Sequence, residues 1–214
     1  MILMKALVVS NGVINDSNWL KEIRKKFDFV LCADGGCNHC IKASIIPDLV
    51  IGDLDSISPR TLDRILENKI PIEKFPVKKN ATDTELAMDF LISKGIKDIT
   101  FVGVTGSRMD HTLANIFLLK RLYQKGCRGK IVDEKNTIYL VDKELAILKK
   151  EGYYISIIPL MNPGINISLD GFEYELDQAN ISFGSTLGIS NKITEEKGYI
   201  KVHKGICLVC ISKD

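Results

Sequence analysis

The chain has no apolar run long enough to cross a bilayer, no block of one charge, and no repeat or low-complexity segment. Its N-terminal stretch MILMKALVVSNG is apolar but well short of the ~20 residues a helical span needs, and Lys5 interrupts it. A basic leader and a small-residue cleavage site are also missing, so the expected location is cytoplasmic. Basic residues number 29 and acidic ones 27, a formal net charge of +2. That balance leaves no footprint for nucleic acid or an acidic membrane surface. Arg24-Lys25-Lys26, Lys78-Lys79 and Lys149-Lys150 are short and scattered, and read as solvated faces. Neither GxxxxGKS/T nor GxGxxG occurs, which excludes the two commonest nucleotide-binding schemes.

What is present is ordinary for a soluble globular protein: 214 residues, 45% hydrophobic and 26% charged. That length suits one large domain or two modest ones. Six cysteines include two CxxC pairs, CNHC and CLVC. A four-cysteine zinc site would need both pairs to converge. The second pair lies in the strand-like run GICLVCIS, where positions i and i+3 face opposite ways. Reduced, mostly buried thiols are the expectation.

The first ~125 residues alternate short apolar runs with helix-period segments, the pattern of a parallel sheet wrapped by helices. KALVVS, FVLCADGG, DLVIGD and DITFVGVTG read as strands, and PIEKFPV as a short extended piece. DSNWLKEIRKKF is a helix with Asp16 or Ser17 near its cap, and a second covers NHCIKAS. SPRTLDRILENK is a third, capped by Ser58 with Pro59 in the first turn. TDTELAMDFLISKG carries Thr82 and Glu85 at capping-box spacing and stops at Gly95, and HTLANIFLLKRLYQKG runs to Gly126. Beyond that point the pattern becomes alternating and turn-punctuated, with only a short helix-period stretch, KELAILKK. An α/β N-terminal domain with a mainly parallel sheet (1–128) followed by an all-β sandwich (129–214) is expected.

The polar motifs of the first part fall at strand ends: ADGGCN, GDLDS and GVTGSRMDH. In an open α/β sheet ligands bind outside the carboxyl ends of the strands, so three such clusters converge on one crevice. Asp53 and Asp55, at i and i+2 after the apolar Leu49-Val50-Ile51, suit a hard cation such as Mg²⁺; alternatively one caps a turn and the other faces water. Asp83 is either a third ligand or an acid placed by the helix dipole. The turn before the long helix offers backbone N–H groups to an anion, and Arg108 can fork onto phosphate. Asp110 caps that helix or holds Arg108, and His111 is structural or a phosphate contact.

With these motifs in this order, and ISFGSTLGISN following in the β-rich part, the chain resembles the thiamine pyrophosphokinase family over nearly its whole length. The resemblance implies an α/β nucleotide domain, a β-sandwich that touches thiamine, and a homodimer with active sites between subunits. It implies transfer of the terminal pyrophosphoryl group of ATP to the hydroxyethyl oxygen of thiamine, giving thiamine diphosphate and AMP. By the same resemblance Asp53, Asp55 and Asp83 hold Mg²⁺, and one of them takes the hydroxyl proton. Asp34, Gly35, Gly36, Asn38, Thr105, Gly106, Arg108, Asp110 and His111 cradle ATP, while Ser190 and Asn191 hydrogen-bond the aminopyrimidine. Three positions depart from the family pattern: Asn80 for an acid, Ser107 for a glycine and Cys37 for an alanine.

Two other readings stand beside this one. LVIGDLDSI also resembles the haloacid dehalogenase phosphatases, in which Asp53 is a nucleophile and Asp55 an acid/base. That family places its DxD after the first strand and wants Thr or Val where this chain has Ile57. The other is a thiamine- or nucleotide-sensing module that binds Mg²⁺ without turnover.

Overall fold

Continuous apolar runs of four or five residues, flanked by amphipathic helices, favour a sheet covered on both sides. The computed structural model describes residues 4–74 and 81–214, so Asn80, Lys78-Lys79 and the end of PIEKFPV lie outside it. The chain divides into two compact units, Met1–Glu134 and Lys135–Asp214.

The first unit runs β1 (Lys5–Val9), α1 (Ser17–Arg24), β2 (Phe29–Ala33), α2 (Gly36–Lys42), β3 (Leu49–Gly52), α3 (Pro59–Glu67), β4 (Ile72–Lys74), α4 (Asp83–Ser93), β5 (Asp98–Val102), α5 (Met109–Gln124) and β6 (Arg128–Val132). Its strands pair in parallel in the order β4-β3-β2-β1-β5-β6. The chain builds outward from β1 to β4 on one side, then crosses to β5 and β6 on the other. The switch point lies between β1 and β5, where Val9 pairs with Cys32 on one side and with Val102 on the other. The carboxyl ends of β1, β2 and β5 are therefore level, and the loops that follow them meet.

Alternate strand residues bury on opposite faces. Leu7, Val9, Val30, Cys32 and Val50 share one core with Leu20, Cys40 and Ile65 from the first three helices. Met88 and Leu91 of α4 are also fully buried. The helix starts follow local side-chain chemistry. Asp16 accepts from the Asn18 N–H, Ser58 from Thr61 with Pro59 in the first turn, and Thr82 from Glu85.

The second unit holds β7 (Asn136–Val141), β8 (Glu144–Leu148), β9 (Tyr154–Pro159), β10 (Gly164–Asp170), β11 (Leu176–Ser182), β12 (Lys197–Lys204) and β13 (Cys207–Ser212). Two antiparallel layers, β7-β13-β9 and β11-β10-β12-β8, enclose a core of Ile157, Ile167, Ile181, Ile200 and Val209. This is a β-sandwich after an α/β unit.

Two expectations are corrected. KELAILKK forms β8, not a helical turn. Leu145 and Ile147 alternate toward the core, and the ladder to β12 (Leu145 opposite Ile200, Ile147 opposite Gly198) outweighs their helix propensity. Residues 129–132, expected at the start of the second domain, belong to Arg128–Val132, which pairs in parallel with β5 as part of the first unit.

All six cysteines are free. Cys207 sits in the sandwich core while Cys210 is half-buried, and burial pushes their thiols up to about 12 and about 11.

Candidate active site

At the switch point the loop after β1 crosses the loop after β5 at backbone distance. Gly12 N–H donates to the Gly103 carbonyl at 2.6 Å, and Ser10 N–H to Val102 at 2.9 Å. The loops frame a cavity of about 600 Å³, lined also by Asp34, Asp83, Arg108 and Asn115.

Asp34 ends β2 in the left-handed region, φ 46°, with its N–H on the Ile51 carbonyl at 2.7 Å. Only Gly52 lets β3 pass so close: at φ 148°, a Cβ there would stand 2.9 Å from the Asp34 Cβ. The Asp34 side chain is 7% exposed, yet its Oδ1 has no hydrogen-bond partner. Burial raises its pKa, against hydrogen bonds from Ser56 and the Gly35 N–H, and the charges of Asp83 and Asp55 raise it further. Asp53 and Asp55 flank Leu54, which holds φ 72° and packs on the core. For a bulky residue that backbone is costly, and its side-chain anchor keeps it there.

These turns gather Asp34, Asp53 and Asp55 so that one carboxylate oxygen of each lies within 4.8 Å of the others. Among the described residues no ion pair neutralises any of the three. Three carboxylates, one of them with an orphaned buried oxygen, fit a hard divalent cation. Asp83, which the resemblance adds to this set, opens α4 and lines the cavity, near enough to Asp34 for their charges to interact. Beside it Thr84 shares a buried 2.9 Å hydroxyl contact with Ser10.

On the far wall Arg108 precedes the 16-residue helix α5 with no side-chain cap of its own. Arg108 is instead paired with Asp110, whose pKa falls to about 2 through that hydrogen bond and the His111 N–H. Thr105 Oγ1 donates to Asp133 at 3.3 Å, and Gly106 N–H to Thr112 Oγ1 at 3.2 Å. His111 is exposed and lines the cavity.

Gly35 and Gly36 form the start of α2 behind Asp34. A Cβ on Gly36 would meet the Val9 carbonyl at 2.0 Å, so only glycine lets α2 start against β1. Asn38 turns away from the cavity: its Nδ2 donates to the Ser56 carbonyl at 2.9 Å, and its Oδ1 accepts from the Ser58 N–H at 3.0 Å. The adjacent His39 donates from Nε2 to the Gly12 carbonyl at 2.8 Å.

In the second unit Ser190 stands exposed at φ 60°, its N–H on Ser156 Oγ at 3.0 Å. Asn191 is 5% exposed and its amide is largely consumed. Oδ1 accepts from Tyr174 and Lys192 N–H groups, and Nδ2 donates to the Tyr174 carbonyl.

Sequence reasoning missed Ser10, Asn11, Thr84 and Asn115 as cavity residues. The signal for the first two was the polar Ser-Asn-Gly after the first strand, at the position where a parallel sheet reverses its order.

Comparison with known proteins extends to both units. The family model "Thiamin pyrophosphokinase, catalytic domain" matches residues 20–131, and "Thiamin pyrophosphokinase, vitamin B1 binding domain" matches residues 137–207. A thiamine pyrophosphokinase of Bacillus subtilis is 34% identical over 183 residues, 85% of this chain and 86% of that protein. A crystal structure of thiamine pyrophosphokinase from Bacillus subtilis aligns with a TM-score of 0.89 at 31% identity, covering 98% of this chain and 99% of that one. One from Geobacillus thermodenitrificans aligns at 0.85 with 25% identity, covering 99% and 98%.

Proposed function

The chain belongs to the thiamine pyrophosphokinase family, and we propose that its strand-end carboxylates and the Arg108 wall carry the transfer from ATP to thiamine. The reaction moves the terminal pyrophosphoryl group in one step to the hydroxyethyl oxygen, giving thiamine diphosphate and AMP. The observation that carries the site assignment is the Asp34–Asp53–Asp55 cluster with its orphaned buried oxygen, beside the cavity.

Such a transfer asks for positioning and charge neutralisation more than covalent help. Asp34, Asp53 and Asp55 would hold Mg²⁺, with Asp83 within reach of the same charges. When bound there, the ion supplies positive charge against the triphosphate. Arg108, preset by Asp110, presents its fork to phosphate oxygens. The α5 N-terminus and the Thr105–Gly106 turn offer N–H groups to the same anion. A carboxylate of the cluster, or Asp83, takes the hydroxyl proton as the bond to phosphorus forms. Ser190 hydrogen-bonds the aminopyrimidine.

A homodimer with shared sites fits the apolar stripe of α5. Met109, Leu113 and Phe117 follow one another at i, i+4 spacing and are 61%, 48% and 56% exposed. Among the described residues no helix is long and apolar enough to cross a membrane, and six unpaired thiols suit the cytoplasm. Neither the phosphatase nor the sensing-module reading gains an observation.

Product analysis tests the reaction: purified protein, thiamine, ATP and Mg²⁺ should yield AMP and thiamine diphosphate in equal amounts. ADP with thiamine monophosphate would contradict attack at the β-phosphorus.

A further inference from the structure

The carboxylate cluster is assembled from two loops, one after β2 carrying Asp34 and one after β3 carrying Asp53 and Asp55. Three like charges within 4.8 Å push those loops apart. Something must hold the second loop against that push, since Asp55, Ser56 and Ser58 are exposed. At its near end the Asp34 N–H is tied to Ile51, and Leu54 and Ile57 anchor its middle in the core. The far end is gripped by Asn38, in the first turn of α2, beside the hydrogen bond from Ser56 to Asp34.

We infer that Asn38 is a positioning residue that sets the spacing of the Asp34–Asp53–Asp55 cluster, an inference resting on the reading of that cluster as a cation site. The amide bridges two backbone groups of the loop, the Ser56 carbonyl and the Ser58 N–H. This pair fixes which end carries oxygen, because only the NH₂ can donate and only the carbonyl oxygen can accept. Asn38 also donates its own N–H to the Gly35 carbonyl at 3.0 Å. One helical turn thus joins Asp34 and Gly35 to the loop bearing the other two carboxylates. No other side chain type of this length offers a donor and an acceptor in one plane. Aspartate lacks the donor, and leucine lacks both.

The requirement is for metal affinity rather than thiamine contact, because Asn38 touches the loop and not the cavity. Outer-shell partners that orient metal ligands typically contribute about 10- to 100-fold in metal affinity. The probe is Mn²⁺, followed by the loss of its free-ion electron paramagnetic resonance signal on titration with the intact protein. Asn38→Ala should weaken Mn²⁺ binding about tenfold or more. In turnover, the Mg²⁺ concentration for half-maximal rate should rise by the same factor. Circular dichroism and a urea midpoint taken without metal, on the same variant, separate weakened binding from general destabilisation, because excess metal also stabilises a loosened fold by mass action. Asn38→Ser, too short to bridge the loop, gives the same reading if the alanine variant folds poorly. Wild-type Mn²⁺ affinity in a folded Asn38 variant, alongside loss of binding in Asp53→Asn, overturns the positioning role alone. Unchanged binding in Asp53→Asn overturns the cation site and this inference with it.

Discussion

Arg108 and Asp110 form a two-pronged ion pair: Nη2 donates to Oδ2 at 2.5 Å and Nε to Oδ1 at 3.2 Å. Both side chains are mostly exposed, so the pair does little for stability. In the proposed site its effect is to orient the guanidinium at the mouth of the cavity toward incoming phosphate. The lowered proton affinity of Asp110, held down by the Arg108 guanidinium, keeps the pair charged throughout the neutral range. Asp110→Asn should raise KM for ATP about three- to tenfold and leave the urea midpoint and KM for thiamine unchanged. Arg108→Lys should not replace Arg108, because an ammonium cannot fork onto phosphate. Steady-state kinetics with each substrate varied in turn is the check.

Gly36 is required by its neighbour, not by its turn. A methyl there collides with the Val9 carbonyl, and neither backbone can retreat without unpairing β1. Gly36→Ala should cost about 3 kcal/mol, the upper end of overpacking penalties. Gly126→Ala meets open space at φ 70° and should cost only about 1–2 kcal/mol. Urea unfolding of the two variants separates collision from backbone strain.

His39 makes stability depend on pH in one direction. Burial lowers its pKa from the ordinary 6.5, the Gly12 carbonyl opposes that shift, Lys42 adds to it and Glu134 opposes it. The folded ring stays neutral where the unfolded one takes up a proton. Stability is therefore level above about pH 6.5 and falls as pH drops below it, until the folded ring protonates. Urea titrations at about pH 7.5 and 5.5 should show this loss in the wild type and a smaller one in His39→Gln. An equal loss in both would assign the acid sensitivity elsewhere.

Ser190 and Asn191, adjacent in sequence, should separate by assay. Asn191→Ala strips partners from the Tyr174 and Lys192 backbone and should cost about 2–3 kcal/mol in unfolding. Ser190→Ala should leave stability alone and raise KM for thiamine about tenfold, the worth of one hydrogen bond. An unchanged KM would remove Ser190 from the acceptor site.

The site was legible wherever local chemistry and strand order decide it. The capping residues Ser58 and Thr82, the GDLDS turn and the convergence of strand-end motifs all follow from spacing. Which third carboxylate joins Asp53 and Asp55 does not. That depends on positive φ at Asp34 and Leu54 and on the tie to Ile51, none of which has a spacing signature. The resemblance alone implies ligand contacts for Asn38 and Asn191, and no spacing shows that their amides engage backbone brought near by tertiary packing. β8 was hidden for a related reason: its ladder partner β12 lies far along the chain.

The most direct test is a crystal structure with Mn²⁺ and an unreactive ATP analogue, the metal located by its anomalous scattering. The account predicts a peak about 2.1 Å from oxygens of Asp34, Asp53 and Asp55, in contact with the phosphates. A metal held by Asp83 without Asp34, or one bound to phosphate alone, would contradict it.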